Sequence, residues 1–443
     1  MSIVIFPNTL FKINYYPTNI KIKEIFICEC NQYFKKYTYN AKRIMLHRAS
    51  MKYYYDYISI NFPNITLKYI DSCNYNNFIS ENKSKQFFCF NPIDEIKDLF
   101  NVKLLENPSF ILTKDHYKKF YDKSHNFIFS EFYLWGIKNM KKGILPYRKK
   151  ITINVGISDI VYIEEARNYT INFSKTNKLH GNVNNFDYLI SHKSIDEYLD
   201  IIIKNNLLYS EKTNSYVNVS TFLNIGLLTP VDILNKISKN KISKISKNKK
   251  IPKIQNINMF NQSIIKESEG FIDIRKKLLI RDFQRYCFIY RKNWLPDNYF
   301  KNTTTRLNNC WYNGNIGLKP IDEIIKMIIG KGFLNYVIRC VVIGNYMILS
   351  DIIPLHAFNW FIELFVDSYE WVMYKNVYDL LYYNKCIIMD NNSYMVSSTI
   401  IKKITKCNNG EWEKKWDTLF CKYYNLNELW DFKDFMPVMY KLK

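Results

Sequence analysis

The hydrophobic pattern of this chain changes near residue 196, and that change limits the folds open to it. Before this point, short apolar runs alternate with a longer helical pattern at Ala41–Ile58. The short runs predict buried strands at Ile3–Phe6, Glu24–Cys30 and Ile65–Ile70. Strands that alternate with helices indicate a parallel α/β sheet.

From about Asp196 onward the apolar residues recur at helical spacing, and prolines stand at the starts of the helical segments or between them. This pattern predicts an all-helical second half. The predicted helices are Asp196–Asn205, Val231–Ile237, Ile274–Tyr290, Ile321–Ile329, Leu355–Val366 and Glu411–Tyr424. The prolines are Pro230, Pro296, Pro320 and Pro354.

We therefore expect an α/β domain over residues 1–130, a linker region over 131–195 and a helical domain over 196–443. Two polar stretches are predicted insertions. One spans residues 151–185, and the other is the lysine-rich segment 235–253, which contains no acidic residue. The lysine-rich segment fits either a phosphate contact or a solvated loop that arose by sequence slippage.

Composition supports a protein with a substantial core. Of 443 residues, 47% are hydrophobic and 17% are aromatic, which is enough to bury two domains. The apolar runs are shorter than the roughly 18 to 20 residues of a membrane span, and no basic leader precedes the first run. We expect a soluble intracellular protein without a membrane partner. Its ten scattered cysteines, of which Cys28 and Cys30 are closest, predict buried thiols rather than a metal site.

The formal net charge of +23 suits a polyanionic partner, with nucleic acid first. Heavy use of Lys, Asn, Ile and Tyr is equally typical of an A+T-rich genome, in which lysine accumulates without selection for binding. Charge alone leaves both interpretations open.

Several ordered motifs resemble those of the cryptochrome and DNA photolyase superfamily, in its photolyase-related branch. The string HRASMK lies at His47–Lys52, and LNIGLLTP lies at Leu223–Pro230. Further matches follow in family order: RDF at Arg281–Phe283, a run at Gly317–Phe333, another at Gly344–Tyr378, and GEWEKKWDTLF at Gly410–Phe420.

This resemblance implies a Rossmann-like domain that can hold an antenna chromophore, joined to a helical domain that encloses FAD. It also implies light-driven electron transfer from reduced flavin to a pyrimidine lesion flipped out of DNA. Trp371 matches the Trp nearest the flavin in many relatives, and Tyr312 stands where relatives often have another Trp of the electron relay. The flavin-contacting positions implied are Ser220, Asn224, Gly226, Asn345, Asn376, Ser397 and Ser398.

The chain departs from the family where relatives carry a glycine-rich string that approaches the flavin. Asp379, Cys386 and Ile387 replace three glycines there, and Lys385 replaces an aspartate. Side chains at such glycine positions conflict sterically with a ligand. The cofactor-binding segment between Asp379 and Ser393 is therefore altered, and FAD binding in the family manner is in question.

Two other family features are missing. Relatives that repair six-four photoproducts carry adjacent histidines before the conserved arginine, whereas this chain has Asn335 and Tyr336. Neither can act as a general acid near neutral pH. Iron-sulfur relatives use four cysteines, and the aligned positions here include Pro320, Cys407 and Gly410, so we expect no cluster.

Two functions follow from these observations. The first is a photolyase-like lyase that repairs ultraviolet lesions in DNA with FAD. The second is a cofactor-free homologue that acts as a structural or DNA-binding protein. Base composition and the altered site predict a large DNA virus as the source, with the protein in the host cytoplasm or the virion.

Overall fold

Five parallel strands form the sheet of this computed structural model, in the order β3-β2-β1-β4-β5. The structure describes residues 1–18, 21–96, 101–143, 153–205, 215–238, 269–291, 303–335, 337–383 and 396–424. The strands are β1 (Ser2–Ile5), β2 (Glu24–Cys28), β3 (Thr66–Ile70), β4 (Phe87–Phe90) and β5 (Val102–Leu105).

Strand β1 lies at the centre of the sheet and pairs with a strand on each side. Its residues Ile3, Val4 and Ile5 are fully buried, as expected for a parallel strand covered on both faces. Ile3 pairs with Ile25 on one side and with Phe88 on the other. The predicted strands β1 to β3 and the parallel sheet are confirmed. Strands β4 and β5 were not predicted from the sequence.

The chain divides into two compact units. The first contains residues Met1–Lys36, Ile44–Thr176 and Asp187–Cys287, and the second contains Tyr37–Arg43, Asn177–Phe186 and Phe288–Lys443. The sequence-predicted domain boundaries at residues 130 and 195 stay a prediction.

The described residues up to 291 form ten α-helices in chain order. They are α1 (Asn31–Phe34), α2 (Ala41–Asn61), α3 (Tyr75–Glu81), α4 (Lys114–Ser124), α5 (Phe129–Gly143), α6 (Asp159–Phe173), α7 (His192–Lys204), α8 (Ser215–Ile225), α9 (residues 230–238) and α10 (Glu269–Arg291).

The described part of the remaining chain adds seven α-helices and two π-helical segments. The α-helices are α11 (Cys310–Asn313), α12 (Lys319–Lys331), α13 (Asn345–Leu349), α14 (Pro354–Leu364), α15 (Glu370–Met373), α16 (Ser398–Thr405) and α17 (Glu411–Tyr424). The π-helical segments are Ile338–Gly344 and Tyr374–Tyr383. The predicted all-helical character of the second half is confirmed for these residues.

Helix ends obey the sequence signals. Pro320 and Pro354 lie in the first turns of α12 and α14, where a proline needs no hydrogen-bond acceptor. Gly332 ends α12 with a φ of 68°, a left-handed conformation that favours glycine. Pro230 begins α9, and Pro296 lies outside the described residues.

The region 151–185 is more ordered than its polar composition predicts. It contains helix α6, whose Tyr162, Ala166 and Phe173 are buried while Ile160 and Val161 are exposed. The exposed apolar residues obscure the helical periodicity, and this is why the sequence indicated only an insertion. Of the segment 235–253, residues 235–238 belong to α9, and the rest lies outside the described residues.

The expected buried thiols are found in part. Cys28 and Cys30 are buried, but Cys28 ends β2 whereas Cys30 precedes α1, so they do not share one strand. Cys73 is exposed. In the described residues, no group of three or more His, Cys, Asp or Glu side chains could hold a metal ion. None of the described helices is long and apolar enough to cross a membrane.

Arg48 of the HRASMK string holds three segments of the first unit together. Its guanidinium contacts the carboxylates of Glu29, Asp71 and Glu165, with Nη1 to Glu29 Oε1 at 2.7 Å and Nη2 to Glu165 Oε1 at 2.6 Å. Glu29 is fully buried and also accepts hydrogen bonds from the Tyr69 hydroxyl, the Tyr169 hydroxyl and the Ser72 N–H. The presence of Arg48 in this string is therefore explained by its contribution to the stability of the first unit.

Replacement of Arg48 by Met leaves the buried Glu29 carboxylate without its cation. We expect the free energy of unfolding to fall by about 3–5 kcal/mol, measured by urea denaturation followed by circular dichroism. The control is R167M, which removes a more exposed ion pair with Glu164 and costs less than about 1 kcal/mol. Equal losses in the two variants would contradict the assignment.

Candidate functional site

Two π-helical segments meet in the second unit at the positions where the resemblance places flavin contacts. Ile338–Gly344 leads directly into Asn345 at the start of α13, and Tyr374–Tyr383 follows α15, which carries Trp371. The two segments pack against each other. A π-helix is rare and is frequently found at functional sites. The sequence gives no signal for it.

The close approach of these segments depends on Gly344. A Cβ at this position would lie 2.7 Å from Cδ2 of Leu381, so the buried Leu381 side chain occupies the space above the glycine. Leu381 belongs to the altered segment that replaces the glycine-rich string of the relatives. The side chain of Leu381 therefore covers Gly344 and occupies the space next to it.

An ion pair fixes the beginning of the first π-helical segment. Arg339 contacts Asp367 through two nitrogens, with Nη1 to Oδ1 at 2.9 Å and Nη2 to Oδ2 at 3.2 Å. The guanidinium also donates to the Leu334 carbonyl at 2.7 Å and lies over the ring of Phe365. Because Asp367 lies four residues before Trp371, this ion pair links the π-helical segment to the tryptophan helix.

Trp371 is 2% exposed, in the first turn of the four-residue helix α15. It is thus held inside the second unit, as an electron relay or a core residue requires.

Four of the predicted flavin contacts lie in the second unit: Asn345, Asn376, Ser397 and Ser398. Asn345 is fully buried, and its amide nitrogen is 3.4 Å from the Val396 carbonyl, next to Ser397. Ser397 is the N-cap residue of α16, but its hydroxyl makes no capping hydrogen bond. Asn376 is half-buried in the second π-helical segment. Asn345 and Ser397 are brought close together, which their separation in sequence could not show.

Ser398 is committed to the fold. Its hydroxyl donates to Oδ2 of Asp417 at 2.6 Å, and its N–H donates to Oδ1 of the same carboxylate at 2.8 Å. Asp417 of α17 thereby satisfies the N-terminus of α16, the position at which a phosphate would otherwise bind.

Ser220, Asn224 and Gly226 belong to the first unit. The Asn224 amide oxygen accepts a hydrogen bond from Arg281, which also donates to the Leu223 and Ser109 carbonyls. Ser220 lies half-buried in α8. The RDF and LNIGLLTP motifs are therefore joined by a structural hydrogen-bond network.

Asp282, next to Arg281 in α10, fixes a different segment. Its carboxylate accepts hydrogen bonds from the backbone of Ile111 and Leu112 and from the Tyr117 hydroxyl. Burial raises the pKa of Asp282 to about 6, although these donors oppose the shift.

Gly226 has a φ of 83°, and an added Cβ would lie 2.8 Å from the Leu10 backbone nitrogen and 2.9 Å from the Phe11 ring. Its conformation and its close neighbours account for the glycine without a ligand. The sequence motif is thus explained by packing of α8 against the segment after β1.

Tyr312 lies in α11 and forms a cluster with two residues that the sequence did not indicate. Its hydroxyl donates to Oε2 of Glu363 at 2.9 Å, and its ring stacks on His180 with centroids 4.8 Å apart and 12° between the planes. Glu363 is in α14, and His180 is over a hundred residues away from both in sequence. No local pattern could bring the three residues together.

The remaining departures from the family are located only in part. Residues 379–383 belong to the second π-helical segment, whereas 384–395 lie outside the described residues, as does Tyr336. Asn335 accepts a hydrogen bond from the N–H of Ile338 at 2.9 Å and so begins a helix. Pro320 is in the first turn of α12, Cys407 is buried, and Gly410 precedes α17.

Comparison with known proteins agrees with the motifs. The family model described as deoxyribodipyrimidine photo-lyase-related protein matches residues 3–144. A protein of unassigned function from Acanthamoeba polyphaga mimivirus is 35% identical over 85 residues, which are 19% of this chain and 67% of that protein. A (6-4) photolyase from Agrobacterium fabrum is 23% identical over 138 residues, or 31% of this chain and 27% of that enzyme.

The fold is similar over nearly the full length to that of a cryptochrome from Synechocystis. The TM-score is 0.61 at 11% sequence identity, and the match covers 95% of this chain and 88% of that one. The predicted fold class, a Rossmann-like sheet domain followed by a helical domain of the photolyase type, is confirmed.

The packing around Gly226 gives a test. G226A and G317A both place alanine at a positive φ, which costs about 1–2 kcal/mol. Gly317 has a φ of 86° but no neighbour within 4 Å of an added Cβ. We expect G226A to reduce the free energy of unfolding by a further 1–3 kcal/mol, roughly the cost of overpacking. Chemical denaturation of both variants measures this difference, and its absence would show that the contacts of Gly226 relax freely.

Proposed function

Because this chain belongs to the photolyase-related branch of the cryptochrome and photolyase superfamily, we propose that it is a light-dependent flavoprotein acting on ultraviolet-induced pyrimidine lesions in DNA. In this role it is a deoxyribodipyrimidine photolyase-like lyase with FAD as its cofactor. The observation that carries the proposal is the pair of packed π-helical segments beside Asn345 and Trp371.

The residues of the second unit fit a flavin. The buried Asn345 amide offers both a donor and an acceptor, and the Ser397 hydroxyl close to it is not used in helix capping. Asn376 adds a second amide in the π-helical segment. We propose that these three polar side chains contact FAD and that the buried Trp371 serves its electron transfer.

A reduced flavin, when bound, supplies an electron on absorption of light, and the lesion accepts it after leaving the base stack. The side chains of the protein position the flavin and return electrons to it, and they do not react with the DNA themselves. Arg339 and Asp367 hold the first π-helical segment in place. Trp371 and Tyr312 offer oxidisable rings inside the second unit. DNA is the proposed partner, and the net charge of +23 favours contact with its phosphates.

The second candidate is a cofactor-free DNA-binding homologue, with which three contacts of the fold are compatible. Leu381 fills the surface of Gly344, Asp417 engages Ser398, and Arg281 engages Asn224. Under this hypothesis, polar groups that served a ligand in relatives serve the protein interior here.

Titration with FAD separates the two candidates. We expect the purified protein to take up FAD, detected by quenching of flavin fluorescence and by flavin absorbance after gel filtration. N345A should bind about 2- to 10-fold more weakly, as expected from the loss of one hydrogen bond to the ligand. N315A changes an exposed asparagine of the same unit and should bind as the parent does. Absence of FAD uptake in the parent would favour the cofactor-free candidate.

Binding to DNA is tested by its dependence on salt. If lysines and arginines contact several phosphates, affinity for duplex DNA should fall more than about tenfold between roughly 50 and 200 mM salt, because bound cations are released. Fluorescence anisotropy with a labelled duplex measures this slope. A flat response would indicate that the basic charge reflects composition alone.

A further inference from the structure

The cluster of Tyr312, Glu363 and His180 has the geometry of a redox-active tyrosine with its own proton acceptor. From this geometry we propose that Tyr312 gives up an electron and its phenolic proton together, and that Glu363 is the positioning residue that accepts the proton. This inference rests on the proposed function for its physiological oxidant, an oxidised tryptophan of the proposed flavin site.

Tryptophan and tyrosine, the two side chains found in such electron relays, differ in what happens to the proton when the ring is oxidised. An indole can lose an electron and keep its proton, but an oxidised phenol becomes a strong acid and needs a base within hydrogen-bond distance, about 2.6–3.2 Å. A chain with Tyr312 at a position where relatives often have Trp therefore needs such a base. The Glu363 carboxylate at 2.9 Å meets this requirement.

The surroundings suit the transfer. Burial raises the pKa of the Glu363 carboxyl, and this makes the carboxylate a better proton acceptor than one in water. The hydrogen bond from Tyr312, a backbone hydrogen bond from Thr38 and the positive charge of Lys178 oppose that rise in the pKa. Glu363 is 15% exposed, which keeps most water away from the hydrogen bond.

His180 faces both partners without competing for the proton at neutral pH. Its Nε2 is 4.0 Å from Oε2 of Glu363, and its ring covers one face of Tyr312. Burial and the nearby Lys178 lower the pKa of His180 to about 4, so its imidazole is neutral near pH 7. The titratable groups facing Glu363 in the described structure are thus Tyr312, His180 and Lys178.

In the proposed step, Tyr312 passes one electron to the oxidant and one proton from its hydroxyl to Oε2 of Glu363. The products are a neutral phenoxyl radical on Tyr312, a protonated Glu363 and the oxidant reduced by one electron. Return of an electron to Tyr312 and of the proton from Glu363 restores the starting state.

The experiment supplies an oxidant without using flavin. Cys310 lies two residues before Tyr312 in α11 and is partly exposed. In the full chain carrying C73S, C386S and C421S, a thiol-reactive ruthenium polypyridyl complex is attached to Cys310. A laser flash with a soluble electron acceptor oxidises the complex, and transient absorption and electron paramagnetic resonance then detect tyrosyl radical.

We expect a tyrosyl radical that is largely lost in Y312F. E363Q keeps a hydrogen-bond acceptor but cannot take the proton, and it should reduce the rate of radical formation at pH 7 at least about tenfold, as expected for the loss of a general base. The rate in the parent should fall as the pH is lowered and Glu363 becomes protonated. In E363Q this dependence should disappear.

Two comparisons guard against a merely structural effect. E370Q alters the carboxylate that accepts a hydrogen bond from Tyr37 at 3.0 Å, and it should leave the signal unchanged. In Y312W the radical forms on an indole, so adding E363Q should no longer slow its formation. A rate in E363Q equal to that of the parent, or an equal reduction in E370Q, would overturn the proposal.

Failure of the proposed function would look different. A chain that takes up no FAD but shows radical formation dependent on Glu363 would lose its photolyase assignment and keep the proton-coupled tyrosine. A chain that binds FAD but forms the radical equally in E363Q would keep the first and lose the second.

Discussion

Helix α10 carries two adjacent buried charged residues, and the packing of much of the first unit depends on their contacts. Arg281 and Asp282 are adjacent in sequence but hold different segments, because side chains one residue apart on a helix point about 100° apart. Arg281 binds the carbonyls of Ser109 and Leu223, and Asp282 binds the N–H groups of Ile111 and Leu112. Burial of either charge is tolerated only because these backbone groups need partners as well.

This arrangement changes how a motif in such a chain is understood. Asn224, Gly226 and Arg48, which carry part of the family resemblance in the first unit, have structural roles in hydrogen bonding or close packing. They would be kept in a photolyase and equally in a homologue that had lost its cofactor. The observations that favour a working site come instead from the second unit. There two rare π-helical segments lie next to the buried Asn345 amide and the buried Trp371 ring.

The altered segment also has a more definite meaning than its sequence suggested. Loss of glycines implied steric conflict with a flavin, and within the described part of the altered segment Leu381 lies against Gly344. The end of a leucine side chain can move at little cost, unlike the backbone. Leu381 therefore narrows the space beside the first π-helical segment. The buried Asn345, which follows this segment, retains an amide suited to a ligand.

The sequence by itself determined the parallel sheet, the helical second half, several helix ends and the family. Apolar periodicity, prolines and capping glycines act over a few residues, so they can be recognised without coordinates. Short strands, the helix hidden in residues 151–185 and the π-helical segments gave no such signal. Only the tertiary structure decided which polar residues are committed to the fold, such as Ser398 to Asp417, and which stand together, such as Tyr312 with Glu363 and His180. Contacts between residues far apart along the chain depend on how whole helices pack, and no local pattern records that.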